Sequence, residues 1–372
     1  MRAFLALLLV AAATAELAPL LKNSEPIPGK YIIKLKDEFD VDEIASTVRL
    51  TGGRVGHKYR HVLNGFAAEL SDKVLDIVRS LAAVEYVEQD GVYRTQVTWG
   101  LDRIDQRDLP LDDTYTTTKT GSGYTVWVID TGVHDTHINF GGRAEQVVDC
   151  TDASSQTSEG CIVGGSDENG HGTHCAGTVG SNTYGVATGV SIKGVRVLGR
   201  FGAGSTNSIM AGCDYVVENA VGNDVASMSL GGGASTSLDS AVAAMVSAGV
   251  PTAVAAGNSN EDACSTSPAR ESSAITVGAT DNSDRRSSFS NYGSCVDIFA
   301  PGTDITSTWN SGNTATNTIS GTSMACPHVA GAIALYSGNT ADMLSGASDD
   351  KIADTTLRPI GSGSPNKLLY VS

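Results

Sequence analysis

The sequence predicts an α/β protein, a parallel sheet with helices on both faces, preceded by a small α+β unit. Three observations carry this expectation. From about Trp99 onward, short apolar runs rich in β-branched residues alternate with helix-like stretches, the pattern of a sheet buried on both faces. Residues 16–95 differ in character, with mixed charges and no cysteine. The length of 372 residues exceeds one ordinary domain, and an apolar fraction of 41% suffices for a sizeable core.

In chain order, residues 1–15 (MRAFLALLLVAAATA) carry one positive charge at Arg2 and then an apolar run from Phe4 to Ala13. With small residues at Ala13 and Ala15, this is a secretory signal peptide whose cut falls before Glu16. It is too short to span a bilayer, and no later stretch is apolar for long enough. The chain is therefore expected outside the cell, in an oxidising compartment, and it contains no Asn-x-Ser/Thr sequon.

Within 16–95, Lys30–Lys36 alternates apolar and polar residues like a half-buried strand, and Gly65–Leu70 and Val84–Asp90 follow as further strands. Asp42–Arg49 has helical spacing with acid at its start and Gly52-Gly53 as its stop; Ser71 is the expected cap of a helix ending at Arg79. Beyond Trp99 the expected strands include Thr125–Ile129, Val195–Leu198, Val225–Leu230 and Val250–Ala256, with helices at Ser205–Asn219 and Ser237–Ala248. In such sheets active residues collect at the carboxyl ends of strands, where Asp130 and Asn258 lie.

A formal charge of −16 argues against nucleic acid or an anionic membrane as partner and is compatible with calcium binding. The seven cysteines are Cys150, Cys161, Cys175, Cys213, Cys264, Cys295 and Cys326, an odd count that leaves at least one thiol free. Proximity favours a Cys150–Cys161 bridge closing a short loop.

Three Gly-flanked segments stand out: Val128-Ile-Asp130-Thr-Gly132, Gly170-His171-Gly-Thr-His174 and Gly321-Thr-Ser323-Met-Ala-Cys-Pro-His328. Hydroxyl attack on an amide needs a base for the proton, an acid that fixes the base's tautomer, and donors where carbonyl charge develops. Singly, each residue has an ordinary reading: Asp130 as a turn former, His171 and His174 as packed histidines or a metal pair with Cys175, Ser323 as a helix start. In the order Asp, His, Ser the three are far more specific.

These segments resemble the three signatures of the subtilisin family of serine proteases, and His171–Gly177 and Gly321–Ala325 resemble its proteinase K branch. Segments 99–111, 287–297 and 361–370 are similar to the aqualysin-like enzymes of that branch, so the likeness spans 99–372. It implies Ser323 as nucleophile, His171 as general base and then acid, Asp130 as its orienting partner, and Asn258 with the Ser323 N–H as oxyanion donors. It also implies a substrate cleft with Ser229, Leu230 and Gly231 as one wall and Ala255, Ala256 and Gly257 as the other. Gly202, Ala203 and Gly204 form an edge that pairs with extended substrate backbone. Small linings imply broad cleavage of protein and peptide substrates after aromatic and aliphatic residues.

Residues 16–95 resemble the family's propeptide, a ferredoxin-like α+β domain that templates folding and then inhibits; self-cleavage is expected within Tyr93–Gln96. The implied domains are thus 1–15, 16–95 and 96–372. No cofactor is implied for catalysis, but structural calcium is: at Asp102, Asp105, Gln106 and Asp112, and at Asp297 with the carbonyls of Ser272 and Ala274. A Cys264–Cys295 disulfide is implied as well, whereas the branch's other bridge is lost because Arg200 occupies one of its positions. The resemblance assigns no role to Cys326, three residues past Ser323, whose position admits a contact with Cys175. The protein is expected to act as a monomer.

Rival chemistries lack their signatures: there is no second Asp-Thr/Ser-Gly for an aspartic protease, no His-Glu-x-x-His for a zinc hydrolase and no Gly-x-Ser-x-Gly for an α/β-hydrolase. The remaining alternative is a catalytically silent pseudoprotease acting as a binding protein, against which the intact Asp130, His171, Ser323 and Asn258 argue.

Overall fold

The computed structural model describes residues 17–23, 26–91, 97–151, 161–354 and 359–372. The signal segment, its cut and the expected self-cleavage bond lie outside the described residues. Tertiary contacts divide the chain into two units, 1–95 and 96–372.

The first unit is a five-stranded sheet in the order Leu20–Leu21, Val84–Gly91, Pro26–Leu35, Gly65–Glu69, Arg54–Tyr59, antiparallel except at the Leu20–Leu21 edge. Period-2 alternation buries Tyr31, Ile33 and Leu35 against Val41, Ala45 and Val48 of helix Val41–Leu50 and Val78 of helix Asp72–Arg79. Asp40 caps the first helix by accepting from the N–H groups of Asp42 and Glu43 at 2.8 and 3.0 Å. Ser71 sits at the second cap but makes no side-chain bond there. Strand Arg54–Tyr59 escaped the sequence reading because its polar run has no apolar alternation.

The second unit is built on a ten-stranded sheet. Its central run is Ile298–Pro301, Ile275–Thr280, Thr252–Ala255, Asp224–Met228, Thr125–Asp130, Ser191–Arg196 and Ala144–Asp149, all parallel. Lys367–Leu368 extends it in parallel, and antiparallel two-residue strands close both edges, Ser348–Asp349 and Ile162–Val163. The sheet is therefore mixed at its margins, where strands of two residues carry no readable period.

Alternation along the central strand explains the two helical layers. Val126 and Val128 share one core with Cys175, Val179, Val329 and Ile333 from helices His171–Gly180 and Thr322–Leu335. Trp127 and Ile129 face the other, with Cys213 and Val216 of helix Thr206–Asn219 and Leu238 and Val242 of helix Thr236–Ser247. The Ser191–Arg196 strand ends earlier than the apolar pattern suggested, because Val197 and Leu198 turn to donate to the Asp130 carbonyl at 2.8 and 3.1 Å. Disulfides join Cys150 to Cys161 and Cys264 to Cys295, while Cys175, Cys213 and Cys326 are separate buried thiols. No helix among the described residues is long and apolar enough to cross a membrane.

Candidate active site

Asp130 ends a central strand, His171 opens one helix and Ser323 lies in the first turn of another. The helix of His171 can approach Asp130 because Gly172 has no side chain: a Cβ there would collide with the Gly132 carbonyl oxygen and crowd Asp130 Cβ. Asp130 Oδ1 then lies 2.8 Å from His171 Nδ1 and also accepts from the Thr131 N–H at 2.7 Å. Burial opposes an imidazolium at His171, but the Asp130 charge outweighs it and raises the pKa well above the ordinary 6.5. Burial raises the pKa of Cys175 itself, so its thiol stays protonated at neutral pH. That leaves Asp130 as the group that holds the proton on His171.

Ser323 Oγ donates to the Ser229 carbonyl at 3.2 Å, and the Ser229 hydroxyl donates to the Ser323 carbonyl at 2.8 Å. Both Ser323 and His171 line one cleft. Asn258 is held in one orientation: its Oδ1 accepts from the Thr322 N–H at 2.8 Å and from Thr322 Oγ1 at 2.9 Å. Since the backbone N–H can only donate, the amide nitrogen of Asn258 is left to donate beside Gly321 and Ser323. The Ser323 N–H lies in a first helical turn, where N–H groups lack intrahelical acceptors and the dipole favours an anion.

One organising residue was not anticipated. The buried Asp167 accepts through Oδ1 from Thr131 Oγ1, Asn169 N and Gly170 N, each at 2.9 Å. Its Oδ2 accepts from Thr173 N and Thr173 Oγ1 at 3.0 and 2.6 Å. One carboxylate therefore ties the turn after Asp130 to the start of the His171 helix. The signal was the run Asp167-Glu-Asn-Gly-His171, an Asx-type arrangement before a helix N-terminus.

The cleft is about 860 Å³ and brings together Gly202, Ala203, Gly204, Ser229, Leu230, Gly231, Ala255 and Gly257 with Asn258, His171 and Ser323. Ala256 does not belong with them. It follows the strand Thr252–Ala255 and is fully buried in a different core, packed with Ala263, Val296 and Phe299. Leu198, Ile209, Asn169 and Glu261 also line the cleft and were not singled out in the sequence.

The proposed metal ligands are partly gathered. Asp102 accepts from Asp112 N and Asp113 N at 3.2 and 2.7 Å, and Asp112 Oδ1 accepts from Thr114. Asp105 is raised to about 6, first by burial and then by the charges of Asp102 and Asp112. Gln106 donates its amide nitrogen to the carbonyls of Asp108 and Pro110, so its oxygen is the atom it can offer a cation. Half-buried Asp297 accepts from Thr276 N at 2.8 Å, and desolvation raises its pKa. Hard oxygen donors whose carboxylates are burdened by burial and by one another fit calcium. These groups are looser than Asp130, His171 and Cys175, the one His/Cys/Asp/Glu trio among the described residues whose ligand atoms all lie within 4.8 Å of one another. Burial pushes Cys326 up to about 12; its sulfur lies 3.8 Å from Ser227 Oγ.

A carboxylate–imidazole pair, a serine at a helix start and an oriented amide on one cleft define a serine hydrolase of the α/β class. The model of the subtilase family matches residues 121–364, and that of the peptidase inhibitor I9 family matches residues 30–96. The extracellular serine proteinase of Thermus sp. (strain Rt41A) is 46% identical over 96% of this chain and 94% of that protein. Proteinase R of Parengyodontium album is 48% identical over 85% of this chain and 81% of that protein. The crystal structure of a cold adapted subtilisin-like serine proteinase matches with a TM-score of 0.69 at 51% identity, covering 75% of this chain and 99% of that one. The chain belongs to the subtilase family.

Proposed function

We propose that this secreted serine endopeptidase, made as a zymogen, cleaves proteins broadly after aromatic and aliphatic residues, with Asp130, His171 and Ser323 as its triad. The observation that carries the reading is the 2.8 Å Asp130–His171 pair on the same cleft as Ser323 and the oriented Asn258 amide. Substrate binds extended along Gly202–Gly204 and presents its carbonyl to Ser323. His171 Nε2 takes the hydroxyl proton as Oγ attacks; the oxyanion accepts from Asn258 Nδ2 and the Ser323 N–H. His171 returns the proton to the leaving amine, and water then repeats the sequence on the acyl-enzyme. Loss of one such oxyanion donor costs roughly 3 to 4 kcal/mol, a magnitude established on subtilisin, a member of this family.

In this reading residues 1–15 are the signal, 16–95 the propeptide that templates and inhibits, and 96–372 the enzyme. Cleft-lining Leu198, Leu230 and Ile209 with small Gly and Ala walls support a roomy apolar pocket. Digestion of a denatured protein, with new termini mapped by mass spectrometry, should place most cuts after Phe, Tyr, Leu, Met and Ala. A dominance of Lys or Arg at the cut would overturn the specificity.

The catalytic steps use no cofactor, and structural calcium is proposed at Asp102, Asp105, Gln106 and Asp112, and at Asp297 with the Ser272 and Ala274 carbonyls. The ions neutralise carboxylates that burial otherwise destabilises. Chelation of the mature enzyme is expected to lower Tm by about 10 °C, since loss of a site near a thousandfold saturation removes about 4 kcal/mol. An unchanged Tm counts against both sites.

A further inference from the structure

The turn that leads into the substrate edge carries two residues with no part in the catalytic steps. The Gly202 N–H donates to the Gly199 carbonyl at 2.8 Å and the Gly199 N–H to the Ala203 carbonyl at 2.9 Å. Arg200 and Phe201 are therefore the two central residues of a tight turn, with Gly202 at φ +72° closing it. Phe201 is 82% exposed, although a free phenyl ring in water is costly and no packing requires it. The Arg200 guanidinium stacks on that ring, 4.5 Å from its centroid, and among the described residues it has no carboxylate partner. Among the described residues it is thus an unpaired cation, in a chain of net charge −16.

The turn is fixed to the catalytic side of the cleft. Asn169 Nδ2 donates to the Arg200 carbonyl at 2.9 Å, while Asn169 Oδ1 accepts from the His171 N–H at 3.1 Å. Asn169 and Gly202–Gly204 line the cleft beside His171. An extended substrate alternates its side chains. With the residue before the scissile bond (P1) in the pocket of Ser229–Gly231 and Gly257, the preceding side chain (P2) points the other way, toward His171, Asn169 and this turn.

We infer that Arg200, stacked on Phe201, selects substrates with an acidic residue at P2. The inference rests on the endopeptidase reading above and deepens it. Arg200 pairs with the P2 carboxylate, and Phe201 removes the conformational freedom that an unsupported Arg side chain would lose on binding.

The test uses the mature enzyme and chromogenic peptides Ala-Ala-X-Phe with X as Glu, Gln or Lys. Wild type should rank Glu above Gln above Lys in kcat/KM, with a spread of roughly fivefold at low salt that narrows as ionic strength rises. Arg200→Glu should invert the order, Arg200→Lys should keep it, and Phe201→Ala should narrow the spread. A wild-type rate independent of P2 charge, or a Glu preference that survives Arg200→Glu, overturns the inference and leaves the endopeptidase reading standing. Failure of wild type to cut any of the three peptides overturns that reading as well.

Discussion

Ser323→Ala is expected to lower kcat by about 10⁶-fold, about 8 kcal/mol of transition-state stabilisation. Alanine removes the only atom that bonds covalently to the acyl group, so His171 has no proton to accept and the Asn258 donor no serine-bound oxyanion to stabilise. The fold should survive: Ser323 Oγ makes one 3.2 Å hydrogen bond to Ser229, a small loss beside the buried helix that carries it. Residual turnover of about 10³ over water remains from the oxyanion site and substrate binding. The same variant should accumulate with its 16–95 unit still attached, because self-cleavage uses the same nucleophile. Steady-state kinetics and intact mass together check both outcomes.

Asp130→Asn is expected to cost about 10⁴-fold in kcat. Asn presents an N–H or a neutral oxygen where His171 Nδ1 now faces a carboxylate at 2.8 Å, so the imidazole loses both its tautomer and its charge partner. The pH profile separates this from simple damage. The base must be neutral, so kcat/KM of wild type rises with pH through a midpoint above 6.5, the direction in which Asp130 moves the pKa against the opposing effect of burial. With the carboxylate gone, burial acts without the carboxylate to oppose it, and the midpoint should fall below that of wild type. An unmoved midpoint would show that Asp130 does not hold the His171 proton.

The grouping of Asp130, His171 and Ser323 was legible because each lies within two residues of a glycine, and Gly172 beside His171 lets its helix approach Gly132 and Asp130. The unbroken apolar run Val126–Ile129, followed by helix-like stretches, likewise announced a sheet covered on both faces, and the fold divides Val126 and Val128 from Trp127 and Ile129 between two cores. Asp167 was not legible, since its importance lies in five donors converging from Thr131, Asn169, Gly170 and Thr173, and only the fold brings the first of these to the others. Ala256 differs for a simpler reason: just past the strand end it turns away from the cleft residues Ala255 and Gly257 and packs into a separate core. The turn at Arg200 was visible only as the loss of a bridge position, and its stacking on Phe201 needed coordinates.

The central claim is that Ser323 is a nucleophile activated in place. Its most direct test is reaction of the mature protein with a serine-directed peptidyl phosphonate, followed by mapping of the adduct by mass spectrometry. One adduct on Ser323, lost in Ser323→Ala and strongly slowed in Asp130→Asn, is the predicted result. A correctly processed wild-type protein that takes up no label, or labels elsewhere, contradicts the account.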